Sequence, residues 1–236
     1  MKSLRSALYI LSAITLLSCK QLKISENESK AINEIAGLYG GQCSYAIKLT
    51  NSTKYGKYKT FEIEISNSDF INQNNKLSEM YASNIAYTFF TFVRSEINIY
   101  KSILCTIVFK EGGKATFAYN TELLQLVDAK LNYVNKIVDI LKRRGYDEIR
   151  QSITTGPVML EENREKYITK LKSMDSTFGN ITGFTMYGFR INSEDERHPI
   201  LHISGALKRS KLDSQFSIDI NAEYEPDEFY YIDYYY

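Results

Sequence analysis

The sequence predicts an α+β chain, with an antiparallel sheet and one packed helix in the first half, then helices followed by a curved antiparallel sheet. Three observations predict it. Between residues 43 and 119, four short runs alternate apolar and polar residues, the period-two mark of half-buried strands. In 77–93 and 122–144 the apolar residues instead recur every three or four positions, the mark of amphipathic helices. From residue 181 onward, β-type runs follow one another with only turn-length connections.

The elements follow in order. Cys43, Tyr45, Ile47 and Leu49 alternate with Ser44, Ala46 and Lys48 and form a first strand with one apolar face. Asn51–Gly56 carries turn chemistry, and Phe61, Ile63 and Ile65 alternating with Glu62 and Glu64 make a second strand. Ser66–Asn75 is polar and reads as a loop. Leu77, Tyr81, Ile85, Phe89 and Val93 then lie on one stripe of a helix rich in aromatic residues. Ile103, Cys105, Ile107 and Phe109 form a third strand. Glu111-Gly112-Gly113-Lys114 turns the chain into a fourth, with Ala115, Phe117 and Tyr119.

The second half opens with a long helix from about Glu122 to Arg144, in which Leu124, Val127, Leu131, Val134, Val138 and Leu141 face one side. Lys142, Arg143 and Arg144 complement the negative end of its dipole, and Gly145 is expected to close it in the left-handed conformation. The heptad spacing is too short for a coiled coil and points to packing inside the fold. Tyr146, Ile149 and Ile153 suggest a short helix, broken at Gly156-Pro157, and Leu160, Tyr167, Leu171 and Met174 a further one. The strands expected after it are 181–191, 199–208, 216–224 and 229–235.

The N-terminus has a different character. Lys2 and Arg5 precede an apolar run of 11 residues from Ala7 to Leu17, against the roughly 20 that a spanning helix needs. This is the layout of a signal peptide. The run ends in Leu16-Leu17-Ser18-Cys19, which resembles the lipobox of bacterial lipoproteins. The resemblance implies cleavage after Ser18 and lipid on the Cys19 sulfur, and so a protein anchored to a membrane of the cell envelope. Lys20 occupies the place where some bacteria put a retention aspartate, which favours an outer membrane where there is one. Two or three acyl chains hold a protein on a bilayer far better than one. The expected organisation is a signal peptide at 1–18, a lipidated flexible tether at 19–32, an α+β domain at 33–121, and helices plus sheet at 122–236.

Removing residues 1–18 from 236 leaves 218, enough to bury a core. Lys2 and Arg5 leave with the signal, so 27 basic residues face 28 acidic ones. That balance lacks the cationic face a nucleic-acid partner requires. Two cysteines remain, Cys43 and Cys105, both on apolar strand faces. They form either a disulfide, if their strands are neighbours, or two buried thiols. A bridge closing about 60 residues would stabilise by roughly 4 kcal/mol on the chain-entropy model.

The order helix, short helix, helix, strands is carried by Ile137–Leu141, by Tyr146-Asp147-Glu148-Ile149 and by Phe178-Gly179-Asn180-Ile181 leading into the strands. It resembles the cone-like fold of the nuclear transport factor two superfamily. The resemblance implies a cavity between helix and sheet, and its enzymes often use an Asp or His inside it; Asp139, His202 and Asp219 are the candidates in this chain. Asp139 also fits the polar side of a helix, and His202 and Asp219 the outward side of strands. No metal is expected: His198 and His202 on one strand stand about 13 Å apart, and Glu194-Asp195-Glu196 beside them reads as a solvated turn. Phosphate-binding, dinucleotide and zinc motifs are absent, so no cofactor is implied.

Phe229-Tyr230-Tyr231-Ile232-Asp233-Tyr234-Tyr235-Tyr236 places aromatic residues on both faces of a strand. It is either a tyrosine-rich binding surface of Tyr230, Tyr231, Tyr234 and Tyr235, bordered by His202 and Arg209, or a strand covered on both sides. The set as a whole favours a non-catalytic binding module on a lipid anchor, with an envelope protein as its partner. A small-molecule enzyme or carrier built on a cone cavity is the alternative.

Overall fold

A computed structural model describes residues 24–52, 56–154, 163–192, 199–223 and 228–235. The expected signal peptide and Cys19 lie outside them. The architecture is α+β, with two four-stranded sheets and the helices distributed around them.

The first helix, α1 (Glu26–Tyr39), overlaps the stretch expected as a flexible tether. Ser25 and Glu28 form a reciprocal capping box, and Lys30 pairs with Glu26 one turn back. Ala31 and Ile35 are fully buried, so the chain from Glu26 onward belongs to the folded unit. Glu28 is buried too, and its carboxylate accepts from the Ser25 amide at 2.6 Å and from the Tyr100 hydroxyl.

The first sheet has the order β1 (Gln42–Ser52), β2 (Gly56–Ser66), β3 (Tyr100–Val108), β4 (Lys114–Asn120). Its two outer ladders are antiparallel, but β2 and β3 run parallel. The reason lies in their connection, which contains a short helix α2 (Asp69–Gln73, capped by Ser68) in the expected loop, then α3 (Ser78–Val93). A helix between two strands returns the chain to the starting edge, so the second strand runs in the same direction as the first. β1 is an outer strand, which leaves Tyr45 and Leu49 exposed although they share the apolar face.

The helix α4 (Thr121–Lys142) buries Leu124, Val127, Val134, Val138 and Leu141 as its spacing predicts. Arg144, not Gly145, takes the left-handed conformation after it, with φ 59°. Gly145 has an ordinary φ and is needed for space, since a β-carbon there would stand 2.8 Å from Ile140 Cγ2. α5 (Tyr146–Ser152) and α6 (Arg164–Phe178) follow.

The second sheet is an antiparallel meander of β5 (Ile181–Asn192), β6 (Ile200–Arg209), β7 (Ser214–Asn221) and β8 (Phe229–Tyr235). One face carries Leu201, Ile203, Phe216, Ile218, Ile220 and Ile232, all buried. These residues join the apolar side chains of the first sheet in one contiguous core. The boundary expected at 121/122 falls between the sheets, and α3 packs on both sides of it, against β3 and β4 and against β5. Among the described residues no helix is long and apolar enough to cross a membrane.

Candidate functional site

The face of the second sheet turned away from the shared core, open except where α6 crosses β8, concentrates the polar groups. Alternation along β6 sends Leu201, Ile203 and Leu207 to the core and His202 and Ser204 to the other side. On β7, Ile218 and Ile220 point inward and Asp219 outward. The register of the β6–β7 hairpin sets His202 directly opposite Asp219. Asp213 holds the turn, accepting from the Arg209 amide at 2.9 Å and from the Lys208 ammonium at 2.7 Å.

Three side chains connect in sequence. His202 Nδ1 lies 2.6 Å from Asp219 Oδ1, and His202 Nε2 lies 2.8 Å from Ser204 Oγ. A carboxylate only accepts, so Nδ1 carries the proton toward Asp219; in the neutral ring Nε2 then accepts from the Ser204 hydroxyl. The His202 side chain is 16 % exposed and that of Asp219 22 %, so solvent reaches the chain without dissolving it. The same cross-strand row continues to Arg190 on β5 and Tyr231 on β8. Arg190 is exposed, and Tyr231 packs against Tyr167 of α6 with ring centroids 5.5 Å apart.

His202 and Asp219 are thus brought together as a pair, whereas Asp139 is not part of the site. Its carboxylate is on the solvent side of α4, 64 % exposed and paired with Lys142 at 3.0 Å. The helix face that a cone cavity would use, with Val134, Ile137, Val138 and Leu141, is buried in the shared core. Ser204 escapes a sequence search for chemistry because only the hairpin register reveals what its strand neighbour His202 is bonded to. His198 and Glu194-Asp195-Glu196 lie outside the described residues, and among the described residues no three His, Cys, Asp or Glu groups are arranged to hold a metal ion.

Where it is described, the tyrosine tail fits a strand covered on both sides better than a binding surface. Tyr230 and Tyr234 are buried, at 9 % and 2 % exposure, and Tyr231 is half-buried against Tyr167. The side chain of Tyr235 and all of Tyr236 lie outside the description. The cause is the position of β8: Tyr234 faces the core beside Phe216, while α6 packs across the strand at Tyr231 and Asp233. Arg209, expected at the border of a surface, is enclosed under Tyr234 with its guanidinium 4.9 Å from the ring centre.

The two cysteines are free thiols. β2 lies between their strands, with Cys43 paired to Ile65 and Cys105 to Ile63. Two inter-strand spacings make about 9–10 Å, beyond the reach of a disulfide. Burial pushes the Cys43 thiol up to about 11 and the Cys105 thiol higher still, so neither is a thiolate nucleophile at neutral pH.

A separate shallow cleft of about 270 Å³ opens where β2, β3 and α4 meet. Lys57, Asn98 and Gln125 line it, and the ion pair of Lys101 with Glu122 spans it at 2.5 Å. No family model, no curated protein and no solved structure matches the chain.

Proposed function

We propose that the chain is an envelope lipoprotein, held to a membrane by lipid on Cys19, whose folded unit works by recognition at the open face of the second sheet. The observation that carries the anchor is the basic start, the 11-residue apolar run and its ending Leu16-Leu17-Ser18-Cys19. What favours that face for recognition is its composition. Arg190, His202, Ser204 and Asp219 stand in register with Tyr231 beside them, polar groups held in place by a packed sheet. The burial of Tyr230 and Tyr234 weighs against the tyrosine tail as that surface. The cone-cavity alternative loses support because the residues that would line the cavity belong to the core.

The experiment is metabolic labelling with palmitate and membrane fractionation of cells expressing the wild type or Cys19→Ala. The wild type should carry label and sediment with membranes, and the variant should do neither. Unlabelled wild type, or a variant that still carries label, would remove the lipoprotein reading. Cross-linked capture with Arg190→Ala beside the wild type then tests the face: a partner recovered equally by both is not bound there.

A further inference from the structure

We infer that the open face carries a reactive serine, with Ser204 as nucleophile, His202 as its general base and Asp219 as the residue that positions the ring, acting on a small carboxylic ester. The inference rests on the open face of the second sheet being the working surface and adds a reaction to it.

The order of contacts is what acyl transfer requires. A carboxylate fixes one ring nitrogen as a donor, which leaves the other as a base facing a hydroxyl. Asp219, His202 and Ser204 stand in that order, at 2.6 and 2.8 Å. Here His202 Nε2 meets the side chain whose proton it would take.

Ser204 is half-buried, and neither of its cross-strand neighbours, Gly188 on β5 and Ser217 on β7, carries a bulky side chain. β6 is an interior strand and its amides are committed to two ladders, so it cannot supply backbone donors to a developing oxyanion. That charge falls to a side chain, and the Arg190 guanidinium, opposite His202 in the adjoining row, is the cation on this side of β5. Such a site suits an ester short enough to lie between Ser204 and Arg190.

The step balances. The Oγ–carbon bond forms as the hydroxyl proton moves to His202 Nε2. The tetrahedral centre collapses, the carbon–oxygen bond to the alcohol breaks, and the alcohol leaves with that proton. Water repeats the sequence, releasing the carboxylic acid and restoring Ser204. Asp219 stays ionised throughout.

The test is labelling of the full-length protein with a fluorophosphonate, in which an Oγ–phosphorus bond forms and fluoride leaves. Peptide mapping should find one adduct, on Ser204, lost in Ser204→Ala and kept in Ser217→Ala. His202→Gln should slow labelling about 100-fold or more. The positioning role has its own signature: imidazole nitrogen NMR should show the Nδ1-protonated tautomer of His202 in the wild type and lose it in Asp219→Asn, with the melting temperature unchanged. A folded wild type without an adduct on Ser204, or one labelled equally fast in His202→Gln, overturns the inference. Either result leaves the palmitate experiment untouched, so the two readings fail separately.

Discussion

Arg209 shows how a single side chain ties together elements far apart in sequence. Its guanidinium is fully enclosed, 2.6 Å from Asp175 of α6, and also donates to the Gly179 carbonyl at 2.9 Å and to Ser214 Oγ at 2.8 Å. Asp175, 6 % exposed, also accepts from the Tyr146 hydroxyl of α5 at 2.8 Å. The phenol is held up near 12, first by burial and then by the carboxylate it donates to. A buried ion pair is costly to break from one side, because the partner keeps its desolvation without its compensation. Asp175→Asn should therefore lower stability by about 3–5 kcal/mol, read as a fall in the urea midpoint. The double change Arg209→Met with Asp175→Leu should cost less than the single one. A double variant as unstable as Asp175→Asn would show that the site needs the ions themselves. None of this was legible in the sequence, because Arg209 follows the run Ser204–Lys208, and alternation alone cannot say that α6 supplies a carboxylate under it.

At the scale of elements, the second sheet shows how its two outer strands are kept from pairing with other chains. Along β5, α3 supplies the partners: Asn84 donates to the Met186 carbonyl at 3.1 Å, and Ser83 Oγ accepts from the Phe189 amide at 2.8 Å. Along β8, the Tyr167 hydroxyl of α6 donates to the Ile232 carbonyl at 2.7 Å and accepts from the Ile232 amide at 2.8 Å. The Thr154 amide donates to the Phe229 carbonyl, three residues before Ile232. Tyr167→Phe keeps the ring against Tyr231 and removes only the hydroxyl, stranding two buried backbone groups. It should cost about 2 kcal/mol and speed exchange of the Ile232 amide. Unchanged exchange there would mean that water replaces the hydroxyl. The strands themselves were readable, since one apolar face leaves a period of two in 61–65, 103–107 and 216–220. The parallel β2–β3 pair was not anticipated: the expectation from the sequence was an antiparallel sheet, although the helix between those strands is what makes them run the same way. The capping of the edges was not readable, because Tyr167 and Ser83 look like ordinary helix residues until the sheet is placed beside them. The same holds for the site: the alternation of β7 sets Asp219 outward, but only the hairpin register brings His202 to it.

For the whole molecule, the decisive element is α3, which packs against both sheets. Its approach to β5 is so close that Gly188, at φ 155°, has no room for a side chain: a β-carbon there would stand 2.2 Å from the Met80 carbonyl and 2.7 Å from Ser83 Oγ. Met80 is followed by Tyr81, Ile85 and Phe89, which pack toward α1 and the first sheet. On the other side Phe189 meets Tyr119 of β4 edge to face, with ring centroids 5.7 Å apart. The halves therefore share one contiguous core. Gly188→Ala forces α3 away from β5 or bends the strand, and should destabilise by about 2 kcal/mol. The informative readout is where the loss appears. In native-state hydrogen exchange, β3 around Ile103 and β7 around Ile218 should lose protection together and by the same factor, because each rests on α3 through the one core. If β7 lost protection while β3 kept it, the sheets would be separate cooperative units, and α3 would belong to the first alone. A joint loss has a functional consequence, since the hairpin register that holds Ser204, His202 and Asp219 together would then depend on the packing of a helix from the other half of the chain.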